Sequence, residues 1–72
     1  MPSFPDRLKE LRKSKKLKQT DMALFLDINI RAYQDYEYGK FEPNIEKIAK
    51  LAEYFDVSTD YLLGLTDCPD RK

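Results

Sequence analysis

Between residues 12 and 18 five cations, Arg12, Lys13, Lys15, Lys16 and Lys18, stand together with no acid among them. A run of this kind suits one chemistry above others, the neutralisation of phosphate with release of the counterions that phosphate holds. It is also what a solvated surface looks like, so both readings stay open on these residues alone. Other chemistry is poorly supplied. Histidine is absent, which removes the commonest general base and metal ligand. Cys68 is a lone thiol in an expected tail, a poor nucleophile or zinc site, and the carboxylates are accounted for as caps and solvated faces. With 72 residues there is little room for a walled pocket. An enzyme is not expected, and neither is a metal or a cofactor.

The net charge is zero, which by itself counts against nucleic acid. The distribution counts for it. Residues 1–40 carry nine basic and six acidic side chains, and residues 41–72 carry four and seven, so a formal +3 half is joined to a formal −3 half. The chain has the length of one domain, and its 42% hydrophobic and 36% charged content is that of a folded one. No apolar run approaches the roughly 20 residues of a membrane span. The opening Met1-Pro2-Ser3-Phe4-Pro5-Asp6 has neither the basic nor the apolar region of a secretion signal. A single cysteine excludes an internal disulfide and suits a reducing cytoplasm.

The elements that would carry these residues are all helical, because the apolar positions recur at helical rather than alternating spacing. A first helix is predicted over residues 5–15, with Pro5 in its first turn and Leu8 and Leu11 on its buried stripe. A short second helix covers residues 19–26 and buries Met22, Ala23 and Leu26. Asp27 and Ile28 turn the chain, Asn29 caps a third helix over residues 30–38, and Gly39 ends it. Asn44 caps a fourth helix whose Ile45, Ile48, Ala49, Ala52 and Phe55 form the most regular apolar stripe of the chain. Ser58 caps a fifth helix that Gly64 ends, and residues 66–72 read as a flexible tail beyond a domain of residues 1–65. The joint of about three residues between the second and third helices is that of a helix-turn-helix.

Four stretches in order carry a resemblance. Arg7-Leu8-Lys9-Glu10-Leu11-Arg12, residues 19–29, Tyr36-Glu37-Tyr38-Gly39-Lys40 with Glu42-Pro43, and the final residues 57–64 are together similar to the Cro/repressor-type helix-turn-helix family over roughly residues 6–65. The resemblance implies an all-α five-helix bundle of the lambda-repressor-like type. It also implies a sequence-specific transcriptional regulator, a repressor, that binds operator DNA as a dimer. Two reading helices related by a dyad call for an approximate palindrome, and three leucines cannot bury a large interface, so a weak homodimer is expected. Asn29, Ile30, Arg31 and Asp35 match base-facing positions, with Gln34 beside them. Lys18, Gln19, Tyr38 and Lys40 match the phosphate-facing ends. Arg12 and Glu37 match a pair that forms a salt bridge between helices one and three in some relatives. Ala23, Ile28, Tyr33 and Tyr36 match core positions, with the tyrosine hydroxyls expected to reach the surface. The leucines Leu62, Leu63 and Leu65 suit either the core or a dimer interface.

Side-chain chemistry is consistent with the implied roles. An arginine fork pairs with guanine O6 and N7, and isoleucine packs on a thymine methyl. Four positions depart from the family. Asp27 stands where glycine is usual, Lys18 where a serine or threonine cap is usual, Asp35 where a polar or basic residue is commoner, and Tyr33 where a smaller aliphatic residue is usual. The absent cap at Lys18 is expected to cost on the order of 1 kcal/mol. Ile30, Asp35 and the zero net charge also suit a different module, one that keeps the fold but binds a protein or peptide instead of DNA.

Overall fold

The computed structural model describes residues 3–70. Five helices follow one another: α1 (Phe4–Ser14), α2 (Gln19–Leu26), α3 (Ile30–Tyr38), α4 (Ile45–Phe55) and α5 (Thr59–Leu62). No strand occurs among the described residues.

Three of the five helices begin at a side chain that satisfies a first-turn N–H group. Asn29 accepts from the Ala32 N–H at 2.8 Å, Asn44 from Lys47 at 2.9 Å and Ser58 from Tyr61 at 3.0 Å. Pro5 sits in the first turn of α1, with Asp6 near the positive end of the dipole and Arg12 and Lys13 near the negative end. Lys18 has no side-chain acceptor to offer α2. Instead Asp21 reaches back and accepts from the Lys18 backbone N–H at 2.9 Å, which is one half of a capping box. The cap expected to be lost is thus partly replaced from three residues downstream.

The joint between α2 and α3 turns on Asp27, whose backbone is left-handed at φ 57° and ψ 46°. The following Ile28 N–H donates to the Ala23 carbonyl at 3.0 Å, closing the end of α2. Asp56 makes the same left-handed turn after α4, and Gly39 (φ 79°) ends α3. Aspartate tolerates this region better than most residues, though less well than glycine.

α3 packs on α1 and α2, while α5 packs on α4 and α1. Between them lies a core of Leu8, Met22, Ala23, Leu26, Tyr33, Leu51, Ala52, Phe55, Val57 and Leu62. Three outcomes correct the sequence reading. Ile45 is 88% exposed, and Ala49 is exposed too. The buried face of α4 is instead Leu51, Ala52 and Phe55, with Ile48 packed against it, so the regular stripe is rotated away from its neighbours at the start of the helix. Leu62 is fully buried and belongs to the core, which withdraws it from any dimer surface. Tyr33 is also fully buried, and its hydroxyl points inward to Glu37 rather than to the surface.

Residues 66–70 lie back on the domain, where the sequence reading expected a flexible tail. The Ser58 N–H donates to the Pro69 carbonyl at 3.0 Å. Asp67 meets Arg7, Nη2 to Oδ1 at 3.3 Å, and Arg7 itself is buried with its guanidinium 3.8 Å from the centre of the Tyr61 ring. Such a stacked arginine is favoured by an anion nearby, and this segment brings Asp67 within hydrogen-bond reach of it, in addition to Glu10 on α1. Residues 71 and 72 of the expected tail lie outside the described residues.

Candidate nucleic-acid interface

One face of α3 is left open by the packing of its other side on α1 and α2. Ile30, Gln34 and Tyr38 fall four residues apart along that face, with Arg31 and Asp35 beside them. Ile30 is 40% exposed and Tyr38 61% exposed, Arg31 is exposed, and Gln34 and Asp35 are half-buried. This face combines apolar, aromatic, amide and charged groups, the side-chain types that can meet base edges and phosphates. Asn29 stands at the start of this face, but its side-chain oxygen is engaged as the cap of α3. Its amide N–H groups are left for an outside partner. Lys40 is exposed beyond the C-terminal end, where its backbone N–H donates to the Asp35 carbonyl at 2.9 Å.

Behind this face lies a polar network. Arg12 donates to Glu37 through Nε at 2.6 Å and Nη2 at 3.3 Å, and through Nη1 to the Leu17 carbonyl at 2.8 Å. Tyr33 and Gln19 donate to the same carboxylate. Burial alone would raise the Glu37 carboxyl, but these hydrogen bonds from Arg12, Tyr33 and Gln19 outweigh it and hold the group below its ordinary range. Burial and the neighbouring carboxylate push the Tyr33 hydroxyl up, so it stays a donor. Arg12 is also raised, chiefly by its bond to Glu37, and remains charged. Gln34 then donates to the Gln19 side-chain oxygen at 3.1 Å, which joins the exposed face of α3 to the buried pair.

The structure therefore brings Arg12, Glu37, Gln19 and Gln34 together, and sets Asn29, Ile30, Arg31, Asp35 and Tyr38 along one side of α3. It divides the basic run. Arg12 is committed internally, while Lys13, Lys15, Lys16 and Lys18 all stay exposed, Lys15 with its Nζ 5.8 Å from the centre of the Tyr54 ring on α4. Leu63 and Leu65 are exposed at 37% and 66%, and Leu63 shares an apolar groove of about 350 Å³ with Pro43, Ile45, Ile48, Ala49 and Thr59. Sequence reasoning missed Ile45 and Ala49 as surface, and missed Asp21 and Arg7 altogether. Asp21 was legible as an acid at the third position of a helix. Arg7 carried no signal, since its partners Tyr61 and Asp67 are remote in the chain. Among the described residues, no cluster of metal-ligating side chains occurs and no helix is long and apolar enough to cross a membrane.

Two helices joined by a tight left-handed turn, the second with an open face and a braced back, define a helix-turn-helix domain. A family model described as Helix-turn-helix matches residues 8–62, and the chain belongs to that family. It is 44% identical over 69 residues to the HTH-type transcriptional regulator YobD of Bacillus subtilis, covering 96% of this chain and 62% of that one. It is 47% identical over 60 residues to the SPbeta prophage-derived HTH-type regulator YonR of the same organism, covering 83% and 56%. The chain thus spans about three fifths of the length of these relatives. Among solved structures, a transcriptional regulator from Listeria innocua superposes with a TM-score of 0.83 at 37% identity, over 86% of this chain and 58% of the other. The P22 c2 repressor in complex with a synthetic operator superposes with a TM-score of 0.78 at 27% identity, over 88% and 96%.

Proposed function

We propose that this chain is a sequence-specific DNA-binding transcriptional repressor that reads the major groove with α3. The observation that carries the reading is the open face of α3, Ile30 to Tyr38, held rigid from behind by the chain Gln34–Gln19–Glu37–Arg12. A base-reading surface must be positioned to within a fraction of an ångström, and a fully hydrogen-bonded network behind it supplies that rigidity. The likeness to a repressor solved on operator DNA supports the same reading. Asn29, Ile30, Arg31, Gln34 and Asp35 face the bases in this proposal. Lys18, Tyr38 and Lys40 meet phosphates with their side chains, and Gln19, whose side-chain amide is engaged with Glu37 and Gln34, does so through its backbone N–H at the start of α2. The reading unit is residues 1–65, on which residues 66–70 fold back, and the role is a cytoplasmic one.

The repressor acts as a weak homodimer on an approximate palindrome. One helix reads only a few base pairs, and two related by a dyad enter successive major grooves about 34–36 Å apart. The apolar groove at Ile45, Ala49 and Leu63, with Leu65 nearby in sequence, is the surface we assign to the partner copy. It is small, so pairing is expected mainly on DNA.

Selection from a randomised duplex library tests the whole reading. The expected result is a palindromic site bound with strong salt dependence. Lys18→Ala and Lys40→Ala should each weaken all sequences alike and lower the salt slope by about 0.9. Recovery of no preferred duplex would refute it.

A further inference from the structure

Four donor groups converge on the Glu37 carboxylate, and the polarity they impose is passed outward to the reading face. An ionised carboxylate only accepts hydrogen bonds. Gln19 donates to Glu37 Oε1 through Nε2 at 3.1 Å, so its amide nitrogen faces inward and its carbonyl oxygen faces α3. That oxygen accepts from Gln34 Nε2 at 3.1 Å. The orientation of the Gln34 amide follows. One of its N–H groups is committed to Gln19, and its Oε1 and second N–H remain. Turning the Gln34 amide over would set two carbonyl oxygens against each other in a half-buried place, which loses the bond and adds repulsion. Neither Ile30, one turn before it, nor Tyr38, one turn after it, offers an amide to the same face.

We infer that Gln34 selects adenine over guanine at its position in the half-site, because Glu37 acting through Gln19 holds the Gln34 amide in a single orientation. The inference rests on the proposed reading of the major groove by α3. Adenine offers an N6 donor beside an N7 acceptor, which matches a carbonyl oxygen beside an N–H. Guanine offers two acceptors, O6 and N7, and sets O6 against Gln34 Oε1. A glutamine free to rotate could answer either purine with a donor. The relay removes that freedom, so Gln34 is a specificity-determining residue and Gln19 a positioning residue.

The test uses the full chain. Library selection with the parent and with Gln34→Ala locates the base pair whose preference depends on Gln34. Adenine is expected there, favoured over guanine by about tenfold or more. Replacing that adenine by purine, which lacks the N6 amine, should cost the parent protein a comparable factor. Gln19→Met should weaken binding to every sequence while shrinking the adenine-to-guanine ratio at that one position towards unity. Guanine preferred at the position, no loss with purine, an unchanged ratio in Gln19→Met, or an unchanged profile in Gln34→Ala would each overturn the inference while leaving DNA binding intact. Once Gln34→Ala has located the position, the purine measurement uses the parent alone, so the adenine reading is decided even where Gln19→Met folds poorly. A parent that selects no duplex overturns the regulator reading itself, which is a separate failure.

Discussion

Arg12 on α1 and Glu37 on α3 are 25 positions apart in the chain and meet with Nε 2.6 Å from Oε2, their side chains 12% and 0% exposed. The pair ties α1 to the helix that presents the reading face, and it does so under cover. Removing one partner of a buried pair leaves the other without its counter-charge, at a cost of about 3–5 kcal/mol. Glu37→Gln and Arg12→Met should therefore both lower the thermal midpoint. At about 4–8 °C per kcal/mol for a domain of this size, the fall should exceed about 10 °C. Melts that match the parent would show that the pair contributes nothing.

The same carboxylate sets an acid limit. Glu37 is held below its ordinary value of 4.5 in the fold, so its contribution is fully present above the unfolded value and is lost as pH falls through the lower folded one. Denaturant melts at a series of pH values should show the parent losing stability steeply as pH drops below about 4.5. Glu37→Gln, already less stable at neutral pH, should show a shallower slope over that window. Parallel slopes would mean that other carboxylates govern the acid transition.

Asp27 holds a left-handed turn that glycine holds without a Cβ penalty. Asp27→Gly should raise the denaturant midpoint by relieving part of the roughly 1–2 kcal/mol that this conformation costs an L-residue. The greater freedom of glycine in the unfolded chain takes back some of the gain, so a net increase of about 0.5 kcal/mol is expected. The m-value should stay unchanged. A lower midpoint would show that the aspartate side chain stabilises the turn by more than the strain.

Adjacent leucines should behave in opposite ways. Leu62 is fully buried, and Leu62→Ala should cost about 2–5 kcal/mol whatever the state of association. Leu63 is partly exposed in the groove beside Ile45, so Leu63→Glu and Ile45→Glu should leave the monomer folded. Sedimentation on the selected duplex should then show one-to-one complexes with these variants and two-to-one with the parent. A parent that binds strictly one-to-one on an asymmetric site would overturn the dimer.

Much of the fold is legible in the sequence, for a local reason. The bounds of α2 and α3 fall where the sequence reading put them because they depend on groups within three or four residues, such as the Asn29 cap, the turn at Asp27 and the stop at Gly39. The caps Asn44 and Ser58 act over the same span. The reading face of α3 follows from that register, since four-residue spacing decides which side chains share a side.

Burial and partnership were settled by the packing of one helix on another. The stripe of α4 named Ile45 and Ala49 as readily as Ala52 and Phe55, since periodicity marks a face without saying how much of it a neighbour covers. Only the placement of α4 leaves the first turn bare and turns Leu51 inward. Leu62 and Leu63 are adjacent in the chain and chemically identical, yet the packing of α5 buries one and leaves the other at the surface. Arg7 reads as one more basic residue until Asp67, 60 positions away, comes back beside it. The sequence determined the helices, their ends and the side of α3 that could read a ligand, because short-range hydrogen bonds and spacing govern all three. The tertiary structure decided that Gln34 leans on Gln19 and Gln19 on Glu37, because a hydrogen bond between distant residues exists only once close packing has brought its donor and acceptor together.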